Sequence, residues 1–203
     1  MQKQALQVGI TGGIGSGKTT ACRVFEQLGI PVYYADAEAK RLMVEDANLK
    51  AGIMQLFGED AYQPDGQLNR PHIAQQAFGH PGLLQKLNAL VHPAVAEDSG
   101  RWHKAQRQVP YTLKEAALLY ESGAHEALDK IIAVTAPENL RIQRVVERDD
   151  SDEAAVRARM DQQMPEAKKV ERADFVIYND GQQLLLPQIQ RIHQALIQLY
   201  HEV

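Results

Sequence analysis

The sequence of 203 residues is poor in cysteine and in aromatic side chains. It contains one cysteine, Cys22, one tryptophan and 6% aromatic residues. A single cysteine excludes a disulfide within the chain, and a reducing compartment is the simpler interpretation. Cys22 falls in an apolar-rich stretch that predicts a helix, which favours a small buried side chain over a catalytic thiol.

Long apolar runs and an excess of basic residues are also missing. No run approaches the roughly 20 residues of a membrane-spanning helix, and MQKQALQVGIT has no apolar stretch of signal-peptide length. Lysine and arginine number 22 against 26 aspartate and glutamate residues, a net charge of −4. We therefore expect a cytoplasmic protein that binds neither membrane nor nucleic acid, and nothing implies an obligate protein partner.

Glycine, in contrast, is concentrated near the start, in GITGGIGSGKTT at positions 9–20. Apolar residues alternate over Leu6 to Thr11 and predict a short buried strand, whereas the apolar spacing after Lys18 predicts a helix. The glycines therefore lie in a turn from strand to helix. Within this turn, Gly12, Gly17, Lys18 and Thr19 fit the pattern G-x-x-x-x-G-K-S/T of a phosphate-binding loop.

The residue types of this loop suit a nucleoside triphosphate. Glycines let backbone N–H groups point at a phosphate, and the helix N-terminus adds donors and the positive end of a dipole. Lys18 places a cation on the outer phosphates, and the Thr19 hydroxyl can ligate a magnesium ion that bridges phosphate oxygens. The residues predicted to bind the nucleotide are Gly12, Gly13, Ile14, Gly15, Ser16, Gly17, Lys18, Thr19 and Thr20.

The rest of the chain alternates strands with helices. PVYYAD, DKIIAVT and ADFVIYNDG predict strands, VPYTLKEAALLY is ambiguous between strand and helix, and residues 47–108 predict several helices with a turn at His92-Pro93. This order predicts an α/β fold with a parallel sheet flanked by helices in three layers. Ligands of such sheets bind beyond the carboxyl ends of the strands, which places the loop and Asp36 on one rim.

Several charged residues could carry chemistry. Asp36 follows the second predicted strand, where it could orient an attacking hydroxyl or cap the next helix. Glu115, in a strand-like run, could hold magnesium through water or mark an exposed strand end. Arg141, Arg144 and Arg148 share one helical face, where they could stabilise a phosphoryl transition state or form a solvated face.

Taken together, these motifs resemble the dephospho-coenzyme A kinase family. The phosphate loop is similar to that of the family, and further segments resemble its other motifs in the right order over most of the chain. These segments are YADAEAK, DGQLNR with the later Phe78, LNALVHP, ALLYESG, LRIQRVVERDD, RARMDQQ and ADFVIYNDG. Three positions depart from the family pattern: Tyr34 replaces the first aspartate of an Asp-Ala-Asp box, Ala117 replaces a proline, and Glu115 replaces an aspartate.

The resemblance implies a P-loop NTPase fold in a single kinase domain. The core would cover about 1–38, 109–146 and 169–203, with a helical acceptor-binding insertion at about 39–108 and a small helical lid at about 147–168. The implied reaction is magnesium-dependent transfer of the γ-phosphoryl of ATP to the ribose 3′-hydroxyl of dephospho-coenzyme A.

The resemblance also implies roles for individual residues. Asp36 would be the general base, and Lys18 with Arg144 or Arg148 would stabilise the transferring charge. The acceptor would be bound by Arg70, His92 and Glu115, and Asn179 and Gly181 would lie near the adenine. Two alternatives stay open: another small-molecule kinase of the same architecture, or a regulatory module that binds ATP without catalysis. A guanine-reading N-K-x-D motif is missing from the sequence, which argues against a GTPase switch.

Overall fold

The computed structural model describes residues 3–77 and 80–202. Within that range the strands form one parallel sheet in the order β2-β3-β1-β4-β5. The order is reached by crossover connections through helices, as expected for parallel strands. The strands are β1 (Leu6–Thr11), β2 (Val32–Tyr34), β3 (Tyr111–Glu115), β4 (Lys130–Thr135) and β5 (Phe175–Tyr178).

Helices connect these strands and flank the sheet. They are α1 (Lys18–Gln27), α2 (Ala35–Glu45), α3 (Ala47–Phe57), α4 (Arg70–Ala77), α5 (Pro81–Ala105), α6 (Glu138–Asp149), α7 (Glu153–Asp161), α8 (Glu166–Arg172) and α9 (Leu185–Glu202). Each of them, over the described residues, is too short or too polar to cross a membrane.

The chain divides into two compact units. The first contains the sheet and comprises the described residues up to Tyr34 and from His103 onward, and the second is Ala35–Trp102. Asp36 therefore belongs to the second unit, although it follows β2 by two residues. The predicted insertion, 39–108, begins and ends a few residues later than this second unit.

The main core of the first unit lies on one face of the sheet. Val8, Ile10, Leu113, Ile132 and Val134 are fully buried strand residues. Helices α1 and α9 pack against them, mainly through Phe25, Ile189 and Leu196. Because helices cover a parallel sheet on both sides, its strands read as continuous apolar runs, as in KIIAVT of β4.

Cys22 is fully buried in this core, which confirms the prediction of a small buried side chain. Burial, followed by the nearby charge of Glu115, raises the pKa of its thiol. A thiol in such surroundings is neutral and chemically inert at physiological pH.

Two predictions about local structure were wrong. The turn expected at His92-Pro93 does not form, because α5 runs unbroken with Pro93 inside it. A proline costs a helix one N–H bond, but Val91 and Val95 are buried on either side of it, and their packing holds the helix together. The helical alternative for KEAALL is also wrong, since β3 extends through Glu115, and the buried Glu115 is not an exposed strand end.

The end of β2 differs slightly from the prediction as well. The strand ends at Tyr34, and α2 begins at Ala35, so Asp36 lies inside the first turn of the helix rather than ahead of it. Asp36 is therefore not the residue that precedes the helix, although a negative charge in a first turn still complements the helix dipole.

Candidate active site

The glycine-rich loop lies between β1 and α1 and is shaped by two distant elements. Gly15 and Gly17 have φ angles of 79° and 93°, values that residues other than glycine rarely adopt. A Cβ atom on Gly15 would meet the backbone of Arg141, and one on Gly17 would meet the side-chain amide of Asn179. The loop therefore needs glycine both for its backbone angles and for its close contacts with α6 and the end of β5.

Lys18 begins α1 and reaches back over the loop. Its Nζ donates to the carbonyl oxygen of Gly12 at 2.9 Å and to that of Gly13 at 3.4 Å. The next two residues, Thr19 and Thr20, are exposed in the first turn of α1. The cation and both hydroxyls thus meet at the N-terminus of a helix, where backbone N–H groups and the helix dipole favour an anion.

A cleft of about 350 Å³ opens beside this helix terminus. Four of its described lining residues are cations and none is a carboxylate, so the cleft attracts negative charge. Its lining comprises Gly15, Gly17, Lys18, Thr19, Thr20, Arg23, Arg144, Val145 and Arg148.

The three arginines of α6 are not equivalent in the structure. Arg144 donates from Nη1 to the Gly15 carbonyl at 3.4 Å and from Nη2 to the Asn179 carbonyl at 3.1 Å. Arg148 forms two hydrogen bonds with the Asp149 carboxylate, at 2.7 and 3.0 Å. This pair, together with hydrogen bonds from Arg159, lowers the pKa of the Asp149 carboxyl to about 2. Arg141 does not line the cleft; it is buried and lies 3.3 Å from Glu166.

Asn179 ties the end of β5 to the loop. Its Nδ2 donates to the Ser16 carbonyl at 2.8 Å, and its backbone N–H donates to Thr135 at 2.8 Å. Gly181 lies two residues further on, in a turn with φ 81°, and does not line the cleft. Of these two residues, the structure thus brings Asn179 to the loop.

Glu115 ends β3 at the same edge of the sheet as the loop. It is in register with Ile10 of β1 and with Tyr34 of β2, and it is 7% exposed. Burial, with contributions from neighbouring groups that include Glu115, raises the pKa of Tyr34. A buried carboxylate therefore lies near Tyr34, the residue that departs from the family's Asp-Ala-Asp box.

The remaining predicted site residues belong to the second unit. Asp36 lies in the first turn of α2, and Arg70 begins α4 and lines a cleft of about 310 Å³ with Lys40 and Arg41. His92 is an exposed residue of α5, and partial desolvation of its imidazole lowers its pKa. Phe78 lies outside the described residues. The roles of these side chains toward the phosphate loop stay predictions.

Sequence reasoning missed two side chains that touch the loop. Glu166, the first residue of α8, accepts from the Gly13 N–H, and Gln163, between α7 and α8, accepts from the Ile14 N–H, each at 2.9 Å. Both residues are some 150 positions from the loop in the chain. Nothing in the local pattern QQMPEAKK indicates this contact, because it depends on how α6 to α8 fold back over the sheet.

The fold and the loop define the class. A parallel sheet with a glycine-rich loop from β1 to α1, a lysine and a threonine at the helix start and a cation-lined cleft make this a P-loop nucleotide-binding protein. The chain belongs to the dephospho-CoA kinase family, since the CoaE dephospho-CoA kinase profile matches residues 6–184.

Individual relatives agree with this assignment. A dephospho-CoA kinase of Salinibacter ruber is 48% identical over 176 residues, which cover 86% of this chain and 88% of that protein. The dephospho-CoA kinase of Chlorobaculum tepidum is 43% identical over 199 residues, covering 95% of each chain. A crystal structure from Thermus thermophilus is 33% identical, with a TM-score of 0.80 over 97% of this chain and 98% of that one.

Proposed function

We propose that this chain transfers the γ-phosphoryl group of ATP to the ribose 3′-hydroxyl of dephospho-coenzyme A, giving coenzyme A and ADP. The observation that carries the proposal is the cation-lined cleft at the start of α1, in a chain of the dephospho-CoA kinase family. The reaction is the last step of coenzyme A synthesis.

The donor nucleotide would bind along the loop. The backbone N–H groups at the start of α1 hold phosphate oxygens, and Lys18, Arg144 and Arg148 supply positive charge around them. Arg144 is already oriented by the carbonyls of Gly15 and Asn179, so little reorganisation is needed when charge develops on the transferring group.

Magnesium fits the residues that line this cleft. The Thr19 hydroxyl is exposed at its mouth, and one hydroxyl together with phosphate oxygens and water is a common magnesium environment. When bound there, the ion would neutralise phosphate charge. Thr19 would hold it directly, and Glu115, buried at the same strand edge, would hold it through water.

Asp36 would act as the general base that accepts the proton of the acceptor hydroxyl. In the proposed step, the 3′-oxygen bonds to the γ-phosphorus, the bond from that phosphorus to the oxygen bridging the β-phosphate breaks, and the hydroxyl proton passes to the Asp36 carboxylate. Support comes from the position of Asp36 two residues after β2, whose last residue is in register with Glu115.

The second unit would bind the acceptor. Lys40, Arg41 and Arg70 line one cleft and would suit the phosphates of dephospho-coenzyme A, and His92 would contribute from α5. We also propose that residues 147–168 act as a lid that keeps water from competing with the acceptor.

A substrate panel tests the proposed function. ADP release is coupled to a spectrophotometric assay, with dephospho-coenzyme A compared against adenosine, AMP and phosphorylated pantetheine. We expect turnover with dephospho-coenzyme A that exceeds all others by orders of magnitude. Faster turnover with AMP or adenosine would indicate a nucleotide or nucleoside kinase, and ATP binding without acceptor-dependent ADP release would indicate a regulatory module.

A substitution at Asp36 tests the mechanism. Asp36→Asn keeps the size of the side chain and removes the proton acceptor, so we expect kcat to fall by about 10²–10³ while KM for ATP is unchanged. Glu59→Gln, at an exposed carboxylate elsewhere in the second unit, is the control and should keep kcat within about twofold. Near wild-type turnover of Asp36→Asn would reduce Asp36 to a structural role.

A further inference from the structure

Two backbone N–H groups of the phosphate loop are covered by side chains of this same chain. The Gly13 N–H donates to Oε2 of Glu166, and the Ile14 N–H donates to Oε1 of Gln163, both at 2.9 Å. Glu166 begins α8, and Gln163 lies in the connection from α7 to α8. A carboxylate thus occupies part of a loop whose donors favour anions.

The covered N–H groups and the open cleft belong to different parts of the loop. Gly15, Gly17 and the residues from Lys18 to Thr20 line the cleft, whereas Gly13 and Ile14 do not. Lys18, which in such loops reaches the outer phosphates, has its Nζ beside the carbonyls of Gly12 and Gly13. The Glu166 carboxylate therefore lies on the side where the outermost phosphate of a triphosphate binds.

The carboxylate is held there but incompletely satisfied. Nη1 of Arg141 lies 3.3 Å from Oε2 of Glu166, whose side chain is 16% exposed. Oε1 of Glu166 and Nε of Arg141 are buried and have no hydrogen-bond partner among the described residues. Leaving such atoms unsatisfied is costly, so an oxygen-rich phosphate is well placed to displace the carboxylate.

We propose that Glu166 stands in for the outermost phosphate and makes the loop discriminate between tri- and diphosphates. A nucleoside diphosphate fits the open half of the loop without moving Glu166. A triphosphate must displace Glu166 from Gly13, after which the Arg141 guanidinium faces the incoming phosphate. This inference rests on the proposed function, in which ATP is the donor and ADP the product.

Calorimetric titration with ATP and with ADP, in magnesium, tests the inference. Glu166→Ala removes the competing carboxylate, so we expect Kd for ATP to fall about tenfold and Kd for ADP to stay within about twofold. Glu166→Gln keeps an acceptor oxygen but loses the charge, and should change the ATP:ADP ratio in the same direction by about threefold. Glu171→Ala, an exposed carboxylate on the same helix, is the control and should leave both Kd values unchanged.

The other outcomes decide against the inference. Equal shifts for ATP and ADP, or no shift in either, would show that Glu166 only supports the loop structurally. Weaker ATP binding in Glu166→Gln would show that the carboxylate assists the nucleotide instead of competing with it. A wild-type chain that binds neither nucleotide would overturn the proposed function, and this inference with it.

Discussion

Two buried lysines of the first unit make an instructive comparison. Lys18 at the start of α1 is 9% exposed, and Lys169 in α8 is fully buried. Both ammonium groups donate to a backbone carbonyl, that of Gly12 at 2.9 Å and that of Ala117 at 2.7 Å. By burial and by hydrogen bonding to the main chain, the two residues look alike.

Their surroundings differ in what faces the charge. Lys169 forms an ion pair with Glu121 at 2.9 Å, and Glu121 also accepts from the Met164 N–H at 2.7 Å, so the pair fixes the connection from α7 to α8. Lys18 lines the cleft at the phosphate loop. The comparison teaches that burial alone does not identify a functional cation. A lysine that lines a cleft open to an anion can bind a ligand, whereas a buried lysine that is ion-paired with a carboxylate stabilises the fold.

The largest expected effect comes from Lys18→Met. Loss of the cation at the outer phosphates should lower kcat/KM by about 10³, because the transferring charge loses a fixed donor. The midpoint of thermal unfolding should change by no more than a few degrees. Steady-state kinetics and calorimetric melting check both. Lys104→Met, at an exposed lysine of the first unit outside the cleft and the proposed lid, is the charge-removal control for both measurements.

Lys169→Met should give the opposite pattern. It removes a fully buried ammonium and leaves the Glu121 carboxylate without its cation, so we expect a loss of about 3 kcal/mol in the free energy of unfolding. Chemical denaturation measures this loss. At temperatures where the variant is folded, kcat should remain within about threefold of the wild type. A thousandfold loss of turnover in a folded Lys169→Met would break the distinction between the two lysines.

Glu121→Gln should have the smallest effect, and the pH dependence of its unfolding free energy tests the structural role of the Lys169–Glu121 ion pair. Burial opposes the charged form of Glu121, but the Met164 N–H and Lys169 outweigh it and lower the pKa of Glu121 below its ordinary value of 4.5. A lowered pKa stabilises the folded state above pH 4.5, and this contribution is lost as pH falls through the folded-state pKa.

The variant should therefore lose about 2 kcal/mol relative to the wild type at pH 7, and this difference should shrink below pH 4.5. Urea denaturation at pH 7, 5 and 4 measures it. Glu126→Gln, an exposed carboxylate in the same stretch of the chain, should show no such trend. A pH-independent difference would mean that the charge of Glu121 is not what stabilises the α7–α8 connection.

Short-range patterns in the sequence predicted much of this molecule. The strands β1, β4 and β5, the start of α1 and the burial of Cys22 are confirmed, because each depends on residues adjacent in the chain or one helical turn apart. The turn at His92-Pro93 was wrong, because burial of Val91 and Val95 outweighs the local preference of proline. Local propensity is a weak guide where packing opposes it.

The sequence by itself determined the phosphate-binding loop and the α/β class, since glycine spacing, one lysine and apolar periodicity act over a few residues. Only the tertiary structure decided that Arg144 lines the cleft while Arg141 turns to Glu166, and that Glu166 lies on Gly13. Those outcomes depend on how helices separated by over a hundred residues pack on the sheet. The energy of such packing is shared among many contacts and leaves no periodic pattern in the chain.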